Sequence, residues 1–320
     1  MQEPITRLIH HPYRAPEGFE AYPPAVHKAS TVLFKDLATM RSRNIHNRGG
    51  YTYGLHSTPT LYTLEERIAA LEGGTYCALA PSGLAAITLV NVGLLQAGDE
   101  VLLPSNVYGP SKEQARNVLA RWGIAHRLYD AMDVSSLQRA MGPATRLVWV
   151  EAPGSVTMEF PDLRGLVRVA KAAGATVALD NTWGAGLAFN AFEMGVDLSM
   201  QALTKYPSGG ADVLMGSVVT RDEALHRRVA DAHSALGMGV AANDIEFVLR
   251  ALPSVEIRYD QADRTARGLA RWLGEQPEVA QVLHPALPGA PGRAGCSTCA
   301  TSGCSPSQRA RPRAVRSAWS

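Results

Sequence analysis

The residue with the clearest chemical potential is Lys205, which follows an apolar run and precedes a glycine-rich stretch at 208–212. Upstream, the apolar segment 175–180 ends in Asp180. A lysine amine can hold an aldehyde as a Schiff base, and a carboxylate can keep a pyridine nitrogen protonated so that the ring accepts electrons. An acid at the end of one strand and a lysine shortly after the next strand are the pair that pyridoxal 5'-phosphate (PLP) needs. We therefore predict that Asp180 and Lys205 bind this cofactor.

Each of these two residues also has a simpler interpretation. A lone lysine is most often a solvated surface residue, and an aspartate at the end of a strand often caps a turn. Lys205, however, lies between Thr204 and Tyr206 and just before glycine-rich sequence, which is a poor context for an exposed helix. The two residues together, in a chain of alternating strands and helices, favour the cofactor interpretation.

Further residues could hold other parts of the cofactor. Ser82, Gly83 and Leu84 lie at a strand-to-helix junction, where free backbone N–H groups and the helix dipole suit a phosphate. An ordinary helix cap is the alternative there. Thr204 could add a hydroxyl to the same phosphate. Tyr108, in a loop after a strand, could stack on the pyridine ring or be a half-buried loop residue.

Strand and helix signals alternate along most of the chain. Predicted strands lie at 76–80, 100–104, 145–152, 175–180, 197–202 and 213–220. Predicted helices include 111–122, 163–173, 223–236 and 254–275. Apolar strands without clear alternation, separated by helices, predict an α/β fold whose mostly parallel sheet has helices on both faces. The segment 151–155 ends a strand at the carboxyl edge of that sheet, where ligands of such folds collect, although a plain turn is the alternative.

The pattern divides the chain into four parts. We expect an N-terminal arm at 1–55 that contacts a neighbouring subunit, and a cofactor-binding α/β domain at 56–250. An incomplete C-terminal α/β domain would follow at 251–288, with its first strand at 279–283. Residues 289–320 have only Val315 and Trp319 as large apolar residues. Since such a segment buries too little surface to offset its entropy, we predict a disordered tail that reflects either a reading-frame change or an otherwise aberrant terminus.

Charge and composition exclude several classes of protein. From residue 288 to the end there are five arginines and no acid or lysine, and removing them from the formal total of +2 leaves −3. A mildly acidic body gives no reason to expect a nucleic-acid partner. The apolar stretch 78–95 is too short and too interrupted to span a membrane, and the N-terminus lacks the apolar core of a signal peptide. With Cys77 as the single cysteine before the tail, a cytoplasmic location fits.

The tail cysteines Cys296, Cys299 and Cys304 raise the question of a metal site. Zinc needs about four ligands, and this run offers three with no nearby histidine. We therefore expect no metal.

With these pieces in place, the chain resembles the Cys/Met-metabolism PLP-dependent enzymes of fold type I over roughly residues 20–288. The motifs that carry the resemblance are Tyr53-Gly54, Leu71-Glu-Gly-Gly74, Pro81-Ser-Gly83, Glu151-Ala-Pro-Gly-Ser-Val-Thr-Met-Glu159, Leu179-Asp-Asn-Thr-Trp183, Thr204-Lys205-Tyr206 and His284-Pro-Ala-Leu-Pro288. Two of them, 153–159 and 180–183, resemble the bacterial cystathionine β-lyase branch more than the γ-synthase or γ-lyase branches.

The resemblance implies a role for each matching residue. Lys205 would form the Schiff base and Asp180 would pair with the pyridinium nitrogen. The ring would stack on Tyr108, and Tyr53 would reach into a neighbouring subunit's site in a homotetramer built as a dimer of dimers. The phosphate would be held by Ser82, Gly83, Leu84 and Thr204, and the substrate would meet Ser155 and Trp183.

The resemblance also has three departures. Leu55 stands where the family has a phosphate-binding arginine, for which His56 or Arg48 would have to compensate. Ala202 stands where many relatives have a phosphate-binding serine. The chain diverges before the C-terminal arginine with which the family binds the substrate carboxylate.

The implied reaction is β-elimination of L-cystathionine to homocysteine, pyruvate and ammonia, a step of transsulfuration and methionine biosynthesis. The alternatives are a γ-synthase or γ-lyase of the same family, including methionine γ-lyase, and a truncated relative that is catalytically impaired.

Overall fold

The computed structural model describes residues 23–291, and within them the chain forms a seven-stranded sheet. The strands are β1 (Tyr76–Ala80), β2 (Glu100–Pro104), β3 (Ala125–Tyr129), β4 (Thr145–Glu151), β5 (Thr176–Asp180), β6 (Leu198–Gln201) and β7 (Gly216–Thr220). Their order across the sheet is β1-β7-β6-β5-β4-β2-β3. β7 runs antiparallel to both of its neighbours, whereas the other pairs are parallel. The carboxyl ends of β1, β2, β4, β5 and β6 therefore meet at one edge.

Helices connect these strands and cover them. They are α1 (Leu37–Arg41), α2 (Pro59–Glu72), α3 (Gly83–Leu94), α4 (Gly109–Asn117), α5 (Val134–Ala140), α6 (Leu163–Ala172), α7 (Glu223–Leu236), α8 (Ala242–Ala251) and α9 (Val255–Gly274). Single 3₁₀ turns lie at Leu119–Trp122, Phe192–Met194 and Leu252–Ser254. Within residues 23–291, none of the helices combines the length and the apolar character that crossing a membrane requires.

The sheet is buried on both faces. Along β4, Val148 and Val150 belong to the hydrophobic cluster on one side, and Leu147 and Trp149 belong to the cluster on the other. The Trp149 indole also donates a 2.9 Å hydrogen bond to Asn91 of α3. Because helices cover both faces, successive strand residues are apolar, and this accounts for the missing alternation in the sequence.

Local signals set the ends of the helices that lead to the sheet edge. Thr58 caps α2 by accepting a hydrogen bond from the Leu61 N–H, and Pro59 occupies its first turn. Gly73 ends α2 with a φ of 74°, a conformation that costs glycine little. Asp222 caps α7 in the same way as Thr58 caps α2. These capping residues fix where α2 and α7 begin and where α2 ends.

The predicted α/β fold with a mostly parallel sheet and helices on both faces is confirmed, with corrections in its elements. No strand forms at 279–283, because in the described part of the chain this segment does not pair with the sheet and Val279 instead donates to the Gln276 carbonyl oxygen in a turn at 3.1 Å. The helix predicted at 111–122 begins at Gly109 and gives way to a 3₁₀ turn after Asn117. Strand β3 and helices α1, α5 and α8 were not predicted.

The proposed division of the chain remains a prediction. Of the arm at 1–55, residues 1–22 lie outside the described residues, and the remainder contains the single short helix α1. Most of the predicted tail, 292–320, also lies outside them.

Candidate active site

A cavity of about 1020 Å³ opens at the carboxyl edge of the sheet. Every predicted site residue except Tyr53 lines it, namely Ser82, Gly83, Leu84, Tyr108, Ser155, Asp180, Trp183, Thr204 and Lys205. These residues follow five different strands, so the topology itself brings them together. Ligands of open α/β sheets bind at this edge.

Asp180 and Lys205 enter the cavity from neighbouring parallel strands. Asp180 is the last residue of β5, and Lys205 lies in the turns that follow β6. The Asp180 carboxylate accepts a 3.0 Å hydrogen bond from the Thr182 N–H. Burial raises the pKa of Asp180, although its hydrogen bonds from Thr182 oppose the shift. Among residues 23–291, Lys205 has no salt-bridge partner, so a buried acid and an unpaired amine share one cavity.

The N-terminus of α3 forms one wall. The Ser82 hydroxyl accepts a 3.0 Å hydrogen bond from the Ala85 N–H, so the simple cap considered above is present. The N–H groups of Gly83 and Leu84 belong to the first turn, where helix amides lack partners within the helix. A Cβ added to Gly83 would lie 2.8 Å from that of Ala202, which shows that the backbones approach closely here. Amide donors at a helix N-terminus suit a phosphate, so this wall fits PLP.

Thr204 and Ala202 lie opposite this wall. The Thr204 hydroxyl donates to the Met215 carbonyl oxygen at 3.2 Å and accepts from the Met215 N–H at 3.1 Å. It would have to turn away from that carbonyl to donate to a phosphate. Ala202 offers a methyl group, and its N–H donates to the Thr182 hydroxyl at 2.9 Å.

Tyr108 and Ser155 are joined by a residue that was not assigned a role from the sequence, Glu151. The Glu151 carboxyl accepts hydrogen bonds from the Tyr108 N–H at 2.9 Å and from the Ser155 hydroxyl at 2.5 Å. Burial and the neighbouring Asp180 raise the pKa of Glu151 to about 7. The Tyr108 side chain is 43% exposed and lines the cavity, so its ring is available for stacking.

A buried cluster of polar side chains stabilises the ends of β5 and β6. Glu72, at the end of α2, accepts hydrogen bonds from Asn181 at 2.9 Å, from Ser199 at 2.8 Å and from Gln201. Burial raises the pKa of the Glu72 carboxyl. Because Asn181 directly follows Asp180, this cluster fixes the strand end that carries the acid.

Helix α9 reaches the cavity through a second unpredicted residue, Arg258. Its guanidinium donates to the Tyr206 carbonyl oxygen at 2.6 Å and to the Ala251 carbonyl oxygen at 3.1 Å. The neighbouring Tyr259 hydroxyl donates to the Trp183 carbonyl oxygen at 3.1 Å. Nothing local in the sequence marked Arg258, since its partner beside Lys205, the Tyr206 carbonyl oxygen, lies on another segment. An acid at the end of an apolar strand was the available signal for Glu151.

Tyr53 lies outside the cavity. Its ring is 48% exposed on the N-terminal arm and meets the His56 ring edge-on at 6.2 Å. Leu55 packs close to Gly239 of the same chain. Arg48 forms a 2.8 Å ion pair with Glu65, so this arginine is already occupied within its own chain.

A metal centre is not seen in the described part of the chain, where no cluster of three or more histidine, cysteine or acidic side chains could hold an ion. Cys77 is a buried free thiol. The cysteines Cys296, Cys299 and Cys304 lie outside the described residues.

Curated proteins similar to this chain include two cystathionine β-lyases. That of Bordetella avium is 41% identical over 265 residues, which cover 82% of this chain and 66% of the relative. Cystathionine beta-lyase MetC of Bacillus subtilis (strain 168) is 34% identical over 282 residues, which cover 88% of this chain and 70% of the relative. The chain thus spans about two thirds of the length of these relatives.

A solved structure agrees with the observed fold. The cystathionine gamma synthase of Xanthomonas oryzae pv. oryzae, in complex with aminoacrylate and cysteine, superposes with a TM-score of 0.80 at 30% identity. The match covers 88% of this chain and 70% of that one. The predicted fold type I architecture is confirmed.

The family comparison extends over nearly the whole chain. The family described as Cys/Met metabolism PLP-dependent enzyme matches residues 5–303, a range that continues past residue 288, where the resemblance in the sequence ended. The chain is therefore a member of the Cys/Met-metabolism PLP-dependent enzyme family, whose cofactor is pyridoxal 5'-phosphate.

Proposed function

We propose that the chain is a carbon–sulfur lyase of the cystathionine β-lyase type, which cleaves L-cystathionine to homocysteine, pyruvate and ammonia. The observation that carries this proposal is the convergence of Asp180, Lys205 and the N-terminus of α3 on one cavity. The similarity to two cystathionine β-lyases favours this substrate within the family.

Pyridoxal phosphate, when bound, supplies an aldehyde carbon for Lys205 and a ring that accepts an electron pair. Asp180 would hold the ring nitrogen, and its position at the end of β5 in the same cavity as Lys205 supports this role. Gly83 and Leu84 would hold the phosphate through their N–H groups, with the Ser82 hydroxyl beside them. Tyr108 would cover one face of the ring.

Lys205 would have a second role once the substrate is bound. Its free Nζ would take the proton from the substrate Cα, the step for which a general base must lie within hydrogen-bond reach. The Cβ–S bond would then break, and the sulfur would leave as homocysteine with the proton that Lys205 Nζ had taken up. Water converts the remaining three-carbon unit to pyruvate and ammonia. Ser155 and Trp183 line the part of the cavity where the substrate would lie.

A titration of the purified chain with pyridoxal phosphate, followed by pyruvate release from cystathionine, tests the proposal. We expect a visible absorbance band that is lost in Lys205→Ala and retained in Lys171→Ala, a control at the end of α6 where the lysine pairs with Asp197, the residue before β6. A band that persists in Lys205→Ala would show that another lysine holds the cofactor. Without any band in the unaltered chain, the proposal fails.

A γ-synthase or γ-lyase activity is the second candidate, and the solved γ-synthase with a TM-score of 0.80 favours it. The two reactions differ in product, since β-elimination yields pyruvate and γ-elimination yields 2-oxobutyrate. A catalytically impaired relative is the third candidate. Cofactor binding without any keto-acid product would support that candidate.

Assembly and location are part of the same proposal. An exposed Tyr53 on the arm supports a homo-oligomer, in the form of a dimer of dimers, in which the arm reaches a neighbouring site. A buried free Cys77 fits a reducing cytoplasm. Sedimentation of the purified chain tests the first statement, and cell fractionation tests the second.

A further inference from the structure

Glu151 occupies a special position in the sheet. It is the last residue of β4 and the register partner of Asp180 on the neighbouring strand β5. Its side chain lines the cavity although the residue is only 7% exposed. A buried acid needs a reason to be there, because removing a charge from water is costly unless hydrogen bonds or a counter-charge compensate.

The hydrogen bonds of Glu151 reach two different walls of the cavity. One carboxyl oxygen accepts from the Tyr108 N–H at 2.9 Å, and the other accepts from the Ser155 hydroxyl at 2.5 Å. Tyr108 follows β2, whereas Ser155 follows β4, so these bonds tie two loops to one strand end. Glu151 thus supports both the loop of Tyr108, which would meet the cofactor ring, and the loop of Ser155, which would meet the substrate.

The same two loops also touch each other directly. Asn106 donates a 2.9 Å hydrogen bond to Glu159. A Cβ added to Gly154 would lie 2.2 Å from the Asn106 side-chain nitrogen, so the loops leave no spare room. A shift of one loop therefore displaces the other, and Glu151 lies beneath both.

The surroundings of Glu151 favour the neutral form of its carboxyl group. Asp180 faces Glu151 from β5, the Tyr129 hydroxyl lies near it from β3, and burial raises the Glu151 pKa to about 7. A charged Asp180, paired with the cofactor nitrogen, disfavours a second charge next to it. A neutral carboxyl still accepts from the Tyr108 N–H through one oxygen and shares a hydrogen with the Ser155 hydroxyl through the other. Glutamine can make the same two contacts.

We propose that Glu151 is a positioning residue, which holds the Tyr108 ring over the cofactor and Ser155 at the substrate wall through its two hydrogen bonds. This role rests on the proposed function, since it requires that the cavity bind the cofactor.

The test compares Glu151→Ala and Glu151→Gln by titration with pyridoxal phosphate and by circular dichroism in the absorption band of the bound cofactor. We expect Glu151→Ala to weaken cofactor binding about tenfold, the loss of one good hydrogen bond, and to alter the dichroic band. Glu151→Gln should stay within about threefold of the unaltered chain, because it keeps both contacts. Glu113→Gln, on the outer face of α4, serves as the control.

A double-mutant cycle separates positioning from a general loss of structure. In a Tyr108→Ala background the ring is gone, so Glu151→Ala should cause no further loss of cofactor affinity if it acts through that ring. Losses that simply add would overturn the proposal, and so would an unchanged affinity and dichroic band in Glu151→Ala. If Glu151→Ala does not fold, Glu151→Asp replaces it, since the shorter side chain withdraws from both partners.

The outcomes also separate this role from the proposed function. An unaltered chain that takes up no cofactor overturns both. An unaltered chain that binds the cofactor, with Glu151→Ala and Glu151→Asp behaving identically to it, overturns the positioning role alone.

Discussion

The guanidinium of Arg258 donates a 2.6 Å hydrogen bond to the carbonyl oxygen of Tyr206, the residue that directly follows Lys205. A further bond to the Ala251 carbonyl oxygen, at 3.1 Å, ties the start of α9 to the end of α8. The segment that carries Lys205 is thus held from a helix more than fifty residues away in sequence. A planar fork of donors can serve several carbonyls at once, which an ammonium group cannot do equally well.

We therefore expect Arg258→Lys to weaken cofactor binding about tenfold and to lower the free energy of unfolding by about 1–2 kcal/mol, since charge is kept but carbonyl partners are lost. Absorbance titration and urea denaturation measure the two effects. Arg250→Lys, on the exposed side of α8, is the matched control. Equal behaviour of the two variants would contradict the assigned role of Arg258.

We expect the Asp180 carboxylate to be required for activity but not to stabilise the folded chain. In the cofactor-free protein its carboxylate is a buried charge without a cationic partner among the described residues, so Asp180→Asn should leave the free energy of unfolding unchanged or raise it by about 1 kcal/mol. The same variant should lower the rate of keto-acid release about 100-fold or more, because the cofactor ring nitrogen would lose the anionic partner that we propose Asp180 to be. Thermal unfolding without cofactor and steady-state kinetics test the two halves. A variant that is both less stable and fully active would refute this account.

The close approach of Gly83 to Ala202 predicts a compensating pair. In Gly83→Ala the new methyl group would meet the Ala202 methyl at 2.8 Å and push apart the backbone that we propose to hold the phosphate. We expect cofactor affinity to fall by about tenfold, and Gly83→Ala combined with Ala202→Gly to recover most of it.

Gly268→Ala is the control for that pair, because no atom lies within 4 Å of the added Cβ in helix α9. This control should raise the free energy of unfolding by up to about 1 kcal/mol and leave cofactor affinity unchanged. A double variant no better than Gly83→Ala alone would show that crowding against Ala202 is not the cause.

Acid should destabilise the chain partly through His226. Its ring stacks on Tyr76 at 5.0 Å, and burial lowers its pKa from 6.5 to about 4, with Arg48 and His46 adding to the effect and Glu223 opposing it. Because the unfolded state binds the proton more tightly, the stability due to this group is present above about pH 6.5 and is lost as the pH falls toward 4.

His226→Phe keeps the stacked ring and removes the titration. Its loss of stability between pH 7 and pH 5 should be smaller than that of the unaltered chain by about 2 kcal/mol. Urea denaturation at the two pH values measures this difference, and His126→Asn on strand β3 serves as the control. An unchanged difference between the two pH values would rule out His226 as a source of acid sensitivity.

The sequence contained enough to predict six of the seven strands and the site that they carry. The strands at 76–80 and 100–104 were predicted at the observed residues, because each is a short apolar run bounded by turn residues. Asp180 and Lys205 were predicted to converge, because parallel strands place their carboxyl ends at one edge. Their roles toward the cofactor remain a proposal.

Features that depend on contacts between distant segments could not be predicted from the local sequence. Strand β3 is a largely exposed edge with the polar residues His126 and Arg127, so it lacks the apolar run that marked the other strands. The segment 279–283 has such a run, but a strand also requires a neighbouring backbone, which no local pattern reports. Arg258 acts on a carbonyl fifty-two positions away, and only the folded chain reveals that pairing.

The position of β1 has a consequence for biosynthesis. Its hydrogen-bonded neighbour in the sheet is β7, with Tyr76 opposite Thr220 and Ala80 opposite Gly216. A ribosome must therefore make roughly 140 further residues before this first strand finds its place, at synthesis rates of about 5–20 residues per second. During those seconds the apolar β1 segment lacks its partner strand β7, so that chaperones have time to bind it.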